Sequence, residues 1–413
     1  MATKGRLIGE GSGKVFLEEE FGKEAALVVL PADQVTKSES GDLSSRFACP
    51  LPPGQQAVAK AAEEKIGEHG SPLEVELATA LRPRLRFDSH EHWRPLAVDE
   101  FARERYDDGG GAQQACWLEP GGPPRCRPLK GLVELKRGEG APDYIEIEGQ
   151  DENGAGFFSP HAECQHGVVR DCDEGKAAAI YYRRTTHEGR WYWDYWWFLR
   201  YNDYTGRVNE CRFYCADHEG DWEGITVITT PSLHPEIVGA IYAAHRDRIL
   251  VDASLLPLSA GHPLVFVANG THASYPFRCA ERNCEQFGTL AGFRLPEEGH
   301  DGEARWGENS DAACRRDECV RPLPEADHPS EGAVPLAGGW AAWPGTWGST
   351  CALDSCSGKE SSPRSPGLQI RFKCPWAPTR WALLAPDGTV SRSEPAGDAE
   401  RLRATCEAQR AGL

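Results

Sequence analysis

The chain lacks any apolar run long enough to cross a bilayer. In its first 31 residues the only apolar stretch is Ala25–Leu30, far short of the roughly 20 residues a spanning helix needs. The same segment, "MATKGRLIGEGSGKVFLEEEFGKEAALVVLP", has no apolar core after a basic start and no small-residue cleavage site. No transmembrane segment is expected. The expected location is extracellular, or injected or exported without a signal peptide after a cytoplasmic stage. Positive charge is also in short supply: 45 Lys and Arg face 63 Asp and Glu, a net charge of −18. A nucleic-acid partner, which calls for a basic footprint, is therefore not expected. Cations are the natural counterpart.

Catalytic signatures are missing as well. There is no phosphate-binding P-loop, no Gly-x-Ser-x-Gly elbow and no His-Glu-x-x-His zinc helix. "IGEGSGKVF" puts glycines at Gly9, Gly11 and Gly13 without the spacing of a kinase loop. "HRDRILVD", from His245 to Asp252, lacks the asparagine of a kinase catalytic loop. No catalytic motif is supported, and no internal repeat is visible.

What is present is a chain of 413 residues, 40% hydrophobic, large enough for two or three domains and globular in composition. Its fifteen cysteines are many for a cytosolic enzyme of this size. Several stand close in sequence, as Cys116 and Cys126, Cys164 and Cys172, or Cys314 and Cys319, among turn-forming residues. Local disulfides are the expectation, and thiolate-bound zinc is the rival. The odd total leaves at least one cysteine free or paired between chains.

Residues 1–75 read as an N-terminal extension, a possible export or docking segment, ending in a helix over "QQAVAKAAEEKIGEHG". Residues 76–385 read as a β-domain with a Cys-rich loop insertion at about 281–366, and 386–413 as a short C-terminal helix. Strands are expected over "YIEIEG", "AAAIYYRRTTH", "WYWDYWWFLRYND", "GITVITTP", "EIVGAIYAAH", "PLVFVANGTH" and "LQIRFKC". They follow one another without long intervening helices. The fold class is therefore mainly β with α+β character: a two-layer antiparallel β-sandwich with long Cys-rich loops and a few short helices. Nine of fourteen residues in "WYWDYWWFLRYNDY" are aromatic, so both faces of that strand are bulky and belong between two packed layers. Asp194, amid the rings, needs a partner; Arg183, Arg184 or a metal is expected.

Charge concentrates in "CADHEGDWEGITVITTP", Cys215–Pro231. Strand alternation puts Asp221, Glu223, Ile225 and Val227 on one face and Trp222 on the other. Two adjacent carboxylates repel unless a cation joins them. Hard oxygens suit calcium, magnesium or manganese, and a nitrogen from His218 shifts preference toward manganese or zinc. Asp203, Glu210, Asp217 and Glu219 are available to complete the shell. "VFVANGTHASYPF" ends another apolar strand in His272 and Ser274, expected near His218.

"PRLRFDSHEHWRPLAVDEF", the strand ending "YNDY", "HEGDWEGITV" and "VFVANGTHASYP" together resemble the vacuolar protein sorting-associated "sixty-two" family, over roughly residues 78–280. The "HEGDWE" core is similar to the heptad Gly-His-Arg-His-Asp-Trp-Glu of necrosis- and ethylene-inducing peptide-like proteins. Those are secreted β-sandwich cytolysins whose heptad binds a divalent cation. That resemblance implies metal ligands at His218, Asp221 and Glu223, with Glu210 where an upstream aspartate stands. Asp217, Glu219 and Gly220 depart from the heptad. The implied function is a divalent-cation-binding effector that engages an anionic lipid or glycan surface as a cytolytic toxin. A non-catalytic sorting or binding module with a structural cation and a metal-dependent hydrolase are the alternatives.

Overall fold

The computed structural model describes the backbone of residues 5–11, 14–21, 24–31, 35–37, 43–45, 53–87, 93–103, 113–147, 178–187, 189–202, 218–244, 247–268, 270–276, 289–290, 293–294, 319–325, 337–348, 362–378, 380–384 and 390–395. The chain opens with a five-stranded sheet, β1 (Gly5–Gly11), β2 (Lys14–Phe21), β3 (Glu24–Pro31), β4 (Val35–Lys37) and β5 (Leu43–Ser45), in the order β3-β2-β1-β5-β4. Helices α1 (Pro53–Ile66) and α2 (Pro72–Leu81), strand β6 (Arg84–Phe87) and the short helix α3 (Val98–Arg103) follow. β7 (Gln113–Trp117) then sits between β8 (Arg125–Pro128) and β9 (Tyr144–Ile147) in a small antiparallel sheet.

The body of the fold is one large sheet. β10 (Ile180–His187), β11 (Arg190–Asn202), β12 (His218–Thr229), β13 (Ile237–Ala244) and β14 (Asp247–Asp252) run antiparallel side by side. A smaller sheet of β15 (Leu258–Ser259), β16 (His262–Val267) and β17 (Ser274–Tyr275) takes β6 onto β16 in parallel. β18 (Thr289–Leu290) and β19 (Phe293–Arg294) pair with each other. β20 (Val320–Pro322) lies parallel to β10 at one edge of the large sheet. After the single-turn helix α4 (Ile370–Lys373), β21 (Arg380–Leu384) and β22 (Val390–Pro395) complete the other edge.

β11 explains why this sheet is buried on both sides. Its odd residues Trp191, Trp193, Tyr195, Trp197, Leu199 and Tyr201 enter one core, with Ile225 and Val227 of β12, Phe87, Val265 and the inner faces of α1 and α2. Its even residues Trp196 and Phe198 enter a second core with Tyr181, Trp222, Trp340, Trp343, Trp347 and Phe372. Successive strand side chains point to opposite faces, so a strand aromatic at both parities needs a layer on each. Truncating one of these rings to alanine would cost about 3–5 kcal/mol. The mainly β sandwich expected from the strand spacing is the architecture found.

Ala62 and Ile66, one helical turn apart, bury α1 against the first core. Glu63 on the same helix accepts hydrogen bonds from Arg184, Trp191 and, at 2.7 Å, the Thr186 hydroxyl. The helix expected at the end of an N-terminal extension is thus docked on the sandwich. α2 starts with a reciprocal cap: Ser71 Oγ accepts from the Glu74 N–H at 3.2 Å, and Glu74 Oε2 accepts from the Gly70 N–H at 2.7 Å.

Two local expectations are corrected. "LQIRFKC" alternates like a strand, yet Ile370–Lys373 form a helical turn, because Arg371 is drawn into the second core by a buried acid described below. Within 386–413, residues Val390–Pro395 form a strand paired with β21; the "GDAERLRATCEAQRAGL" helix lies outside the described residues. Cys116 and Cys126 form a disulfide across β7 and β8, and Cys319 and Cys374 are each engaged in a disulfide as well.

Candidate functional site

The acidic stretch enters β12 at its open end. β12 pairs with β11 from His218 to Thr229, whereas its partnership with β13 begins only at Ile225. The register sets Asp221 opposite Leu199 and Glu223 opposite Trp197, two residues of the first core. The two carboxylates therefore share that face. Trp222 belongs to the second core on the other side. Gly220 has φ +64°, and a Cβ there would meet the Trp347 carbonyl oxygen at 2.2 Å. Only glycine combines that backbone with that closeness.

Asp221 is 6% exposed and at that depth needs a partner. It has one: His272 Nδ1 lies 2.9 Å from Asp221 Oδ2. A carboxylate only accepts, so Nδ1 carries the proton. His272 sits in the turn between β16 and β17, where the Ala268 N–H donates to Ala273 O at 3.0 Å and the His272 N–H to Ala268 O at 3.2 Å. Its φ of 55° is uncommon for a residue with a side chain and aims the ring into the sheet. Ser274 follows on β17, fully buried, its hydroxyl without a hydrogen-bond partner among the described residues.

His218 is turned elsewhere. Its Nδ1 is 2.8 Å from Gly220 O and its Nε2 is 3.1 Å from Asn202 Nδ2. Nδ1 donates to the carbonyl and Nε2 is taken by the Asn202 amide, so both ring nitrogens are engaged. Asn202 was not singled out in the sequence; the signal was the pairing of β11 with β12, which sets Asn202 opposite His218. The Asn202 Oδ1 is buried without a hydrogen-bond partner among the described residues.

His272 thus meets Asp221, where the sequence suggested His218. No three of His218, Asp221, Glu223 and His272 bring ligand atoms within 4.8 Å of one another. Asp203, Glu210 and Asp217 lie outside the described residues. Asp221 and Glu223 put carboxylates on one face of β12, and the imidazoles of His218 and His272 are held by protein partners.

Asp194 stands apart, on the second-core face. Its partner is Arg371, whose Nε is 3.3 Å from Oδ1, with Thr226 Oγ1 donating to Oδ1 at 2.9 Å and Trp196 Nε1 to Oδ2 at 2.6 Å. The expected ion-pair partners are engaged elsewhere: Arg184 reaches Glu63 and Glu74, and Arg183 donates to Phe372 O while lying 3.5 Å above that ring. The Arg371 guanidinium also lies 3.4 Å from the Trp196 ring centroid. Burial presses its pKa down, while Asp194 and Glu223 hold it up.

No family model matches this chain, and no curated protein matches it. The resemblance to the sorting family finds no support there. Among solved structures, a necrosis- and ethylene-inducing protein from the causal agent of cocoa's witches' broom disease matches at 17% identity and TM-score 0.24, over 63% of this chain and 89% of its own. NLPPya in complex with glucosamine matches at 11% and 0.27, over 62% and 87%. The non-toxic HaNLP3 protein matches at 12% and 0.26, over 48% and 67%.

Proposed function

We propose that this chain is a divalent-cation-dependent β-sandwich effector that engages an anionic lipid or glycan surface, with a cytolytic mode of action. The reading rests on one observation: Asp221 and Glu223 share a face at the end of β12 that β13 leaves open, with Asp221 held by the buried His272. Asp221 and Glu223 are the carboxylates that would hold the ion. Asn202 and Ser274 offer further buried oxygens, and Asp203, Glu210 and Asp217 remain proposed contributors. His272 orients Asp221, and His218 would join only by giving up Asn202. The oxygen-rich set favours calcium, magnesium or manganese over zinc. A bound ion supplies the positive charge by which a chain of net charge −18 meets an anionic headgroup or sugar acid.

Elemental analysis of the purified protein, alongside an Asp221→Asn, Glu223→Gln double variant, tests the site. Wild type should retain a stoichiometric divalent ion and the variant should lose it; retention by the variant overturns the reading. Dye release from anionic liposomes, with and without chelator, tests the action. Release that a chelator abolishes supports an effector. A chelator-sensitive melting temperature without release or glycan binding would leave the cation a structural role only.

A further inference from the structure

A second cation site, independent of the Asp221 reading, is suggested by the small sheet of β7, β8 and β9. Cys116 and Cys126 face each other across β7 and β8, with Cα atoms 4.1 Å apart. On the other side β9 pairs Cys116 with Tyr144, so Glu146, two residues along, lies diagonally on the same face. Its Oε1 is 3.3 Å from Cys116 Sγ and 3.5 Å from Cys126 Sγ. The three ligand-type atoms all lie within 4.8 Å of one another. Cys116 is buried, while Cys126 and Glu146 are half-buried, which leaves a path from solvent.

In the disulfide form the sulfurs have no thiolate to offer a metal. We propose that Cys116, Cys126 and Glu146 form a redox-gated site for a thiophilic divalent ion, zinc being the fitting one, closed by oxidation and opened by reduction. A tetrahedral zinc with bonds of about 2.3 Å to sulfur and 2.1 Å to oxygen sets each S···O separation near 3.6 Å and the S···S separation near 3.8 Å. The S···O distances, 3.3 and 3.5 Å, lie within about 0.3 Å of that separation. Only the two sulfurs must part, which opposed strand residues can do by side-chain rotation while the ladder holds. The chemistry balances with a phosphine and water: the S–S bond takes two electrons and two protons to give two thiols, and the phosphine becomes its oxide. Zinc then displaces the two thiol protons, and water fills the fourth position.

Thirteen other cysteines make variants essential to the test. Phosphine-reduced protein is titrated with cobalt(II), whose thiolate charge-transfer and tetrahedral d–d bands report the donor set, and zinc content is counted after dialysis. Against wild type, the Cys116→Ser, Cys126→Ser double variant should lose one metal equivalent and two thiolates' worth of charge-transfer intensity. Glu146→Gln should keep the charge-transfer intensity, shift the d–d bands and bind several-fold more weakly. Circular dichroism of each variant reports the fold, and Cys126→Ser alone serves if the double variant is unfolded. Equal metal content in wild type and cysteine variants overturns the proposal. So does a Glu146→Gln titration superimposable on wild type, or a Cys116–Cys126 bond that stays closed in the folded, phosphine-treated protein.

Discussion

Asp194 and Asp221 are both buried aspartates on neighbouring strands of one sheet, each with a basic partner, yet they sit on opposite faces and in unlike surroundings. Asp194 is 0% exposed in the middle of β11, and both its oxygens are taken by Arg371, Thr226 and Trp196. Asp221 stands at the end of β12 that β13 leaves open, with His272 on Oδ2. A fully satisfied acid under aromatic rings is a fastener. An acid near a strand end, with a second carboxylate on the same face, is the one proposed to hold an ion. Position along the strand, more than burial, separates architecture from a site.

The largest test of that contrast is Arg371→Met. It leaves the Asp194 charge buried without its cation and should cost about 3–5 kcal/mol, read as a lowered midpoint in urea unfolding. A companion Asp194→Leu, Arg371→Met double variant should recover part of the loss. A single variant within about 1 kcal/mol of wild type would break the fastener reading.

Gly224→Ala comes next. A Cβ at Gly224 would lie 2.0 Å from Tyr195 O and 2.4 Å from an Arg371 guanidinium nitrogen. The backbone oxygen cannot yield as a side chain can, so a loss of about 1–3 kcal/mol is expected. If urea unfolding shows no loss, Arg371 does not pass over Gly224 as described.

Much of this contrast was legible in the sequence, and the unread part has a physical reason. The aromatic run announced a strand between two layers because rings at both parities can be buried no other way. The alternation of Asp221, Trp222 and Glu223 likewise announced its two faces, since that property is local. Partners distant in sequence were not legible. Arg371 lies 177 positions from Asp194, in a segment whose alternation imitates a strand, while Arg183 and Arg184 were near and plausible. Asn202 escaped notice because its role depends on the register of a hairpin whose connection, 203–217, has no pattern that fixes it.

Asp221→Asn should matter less to stability and more to ions. It weakens the His272 pairing by about 1–3 kcal/mol but leaves Asp194 and the cores untouched. In wild type, a divalent ion at a hundredfold excess over its dissociation constant should add about 2.7 kcal/mol; in the variant it should add little. An equal ion-induced rise in melting temperature for both proteins would place the ion elsewhere.

The smallest effect separates arginine from histidine as the partner of a buried acid, and Glu74 has both. It binds Arg184 Nε at 2.9 Å and His69 Nδ1 at 3.0 Å. Burial works against the His69 charge, but Glu74 and Glu325 prevail and lift its pKa above 6.5. Burial likewise opposes the Glu74 charge, and His69, the Gly70 N–H and Arg184 pull its pKa below 4.5. Glu325 is pushed up, chiefly by burial. A raised histidine contributes fully below its unfolded pKa, about 6.5, and its contribution fades as pH rises through the folded value. The lowered Glu74 contributes above about 4.5 and fades as pH falls through its depressed value. Glu325 has the opposite sign, contributing at low pH and fading as pH rises past its unfolded value into its own raised one. From mildly acid to mildly alkaline pH the wild type should therefore lose about 1 kcal/mol or less, and His69→Gln should keep only the part of that loss that Glu325 contributes. Parallel pH profiles of melting temperature for the two proteins would show that Arg184 alone holds Glu74.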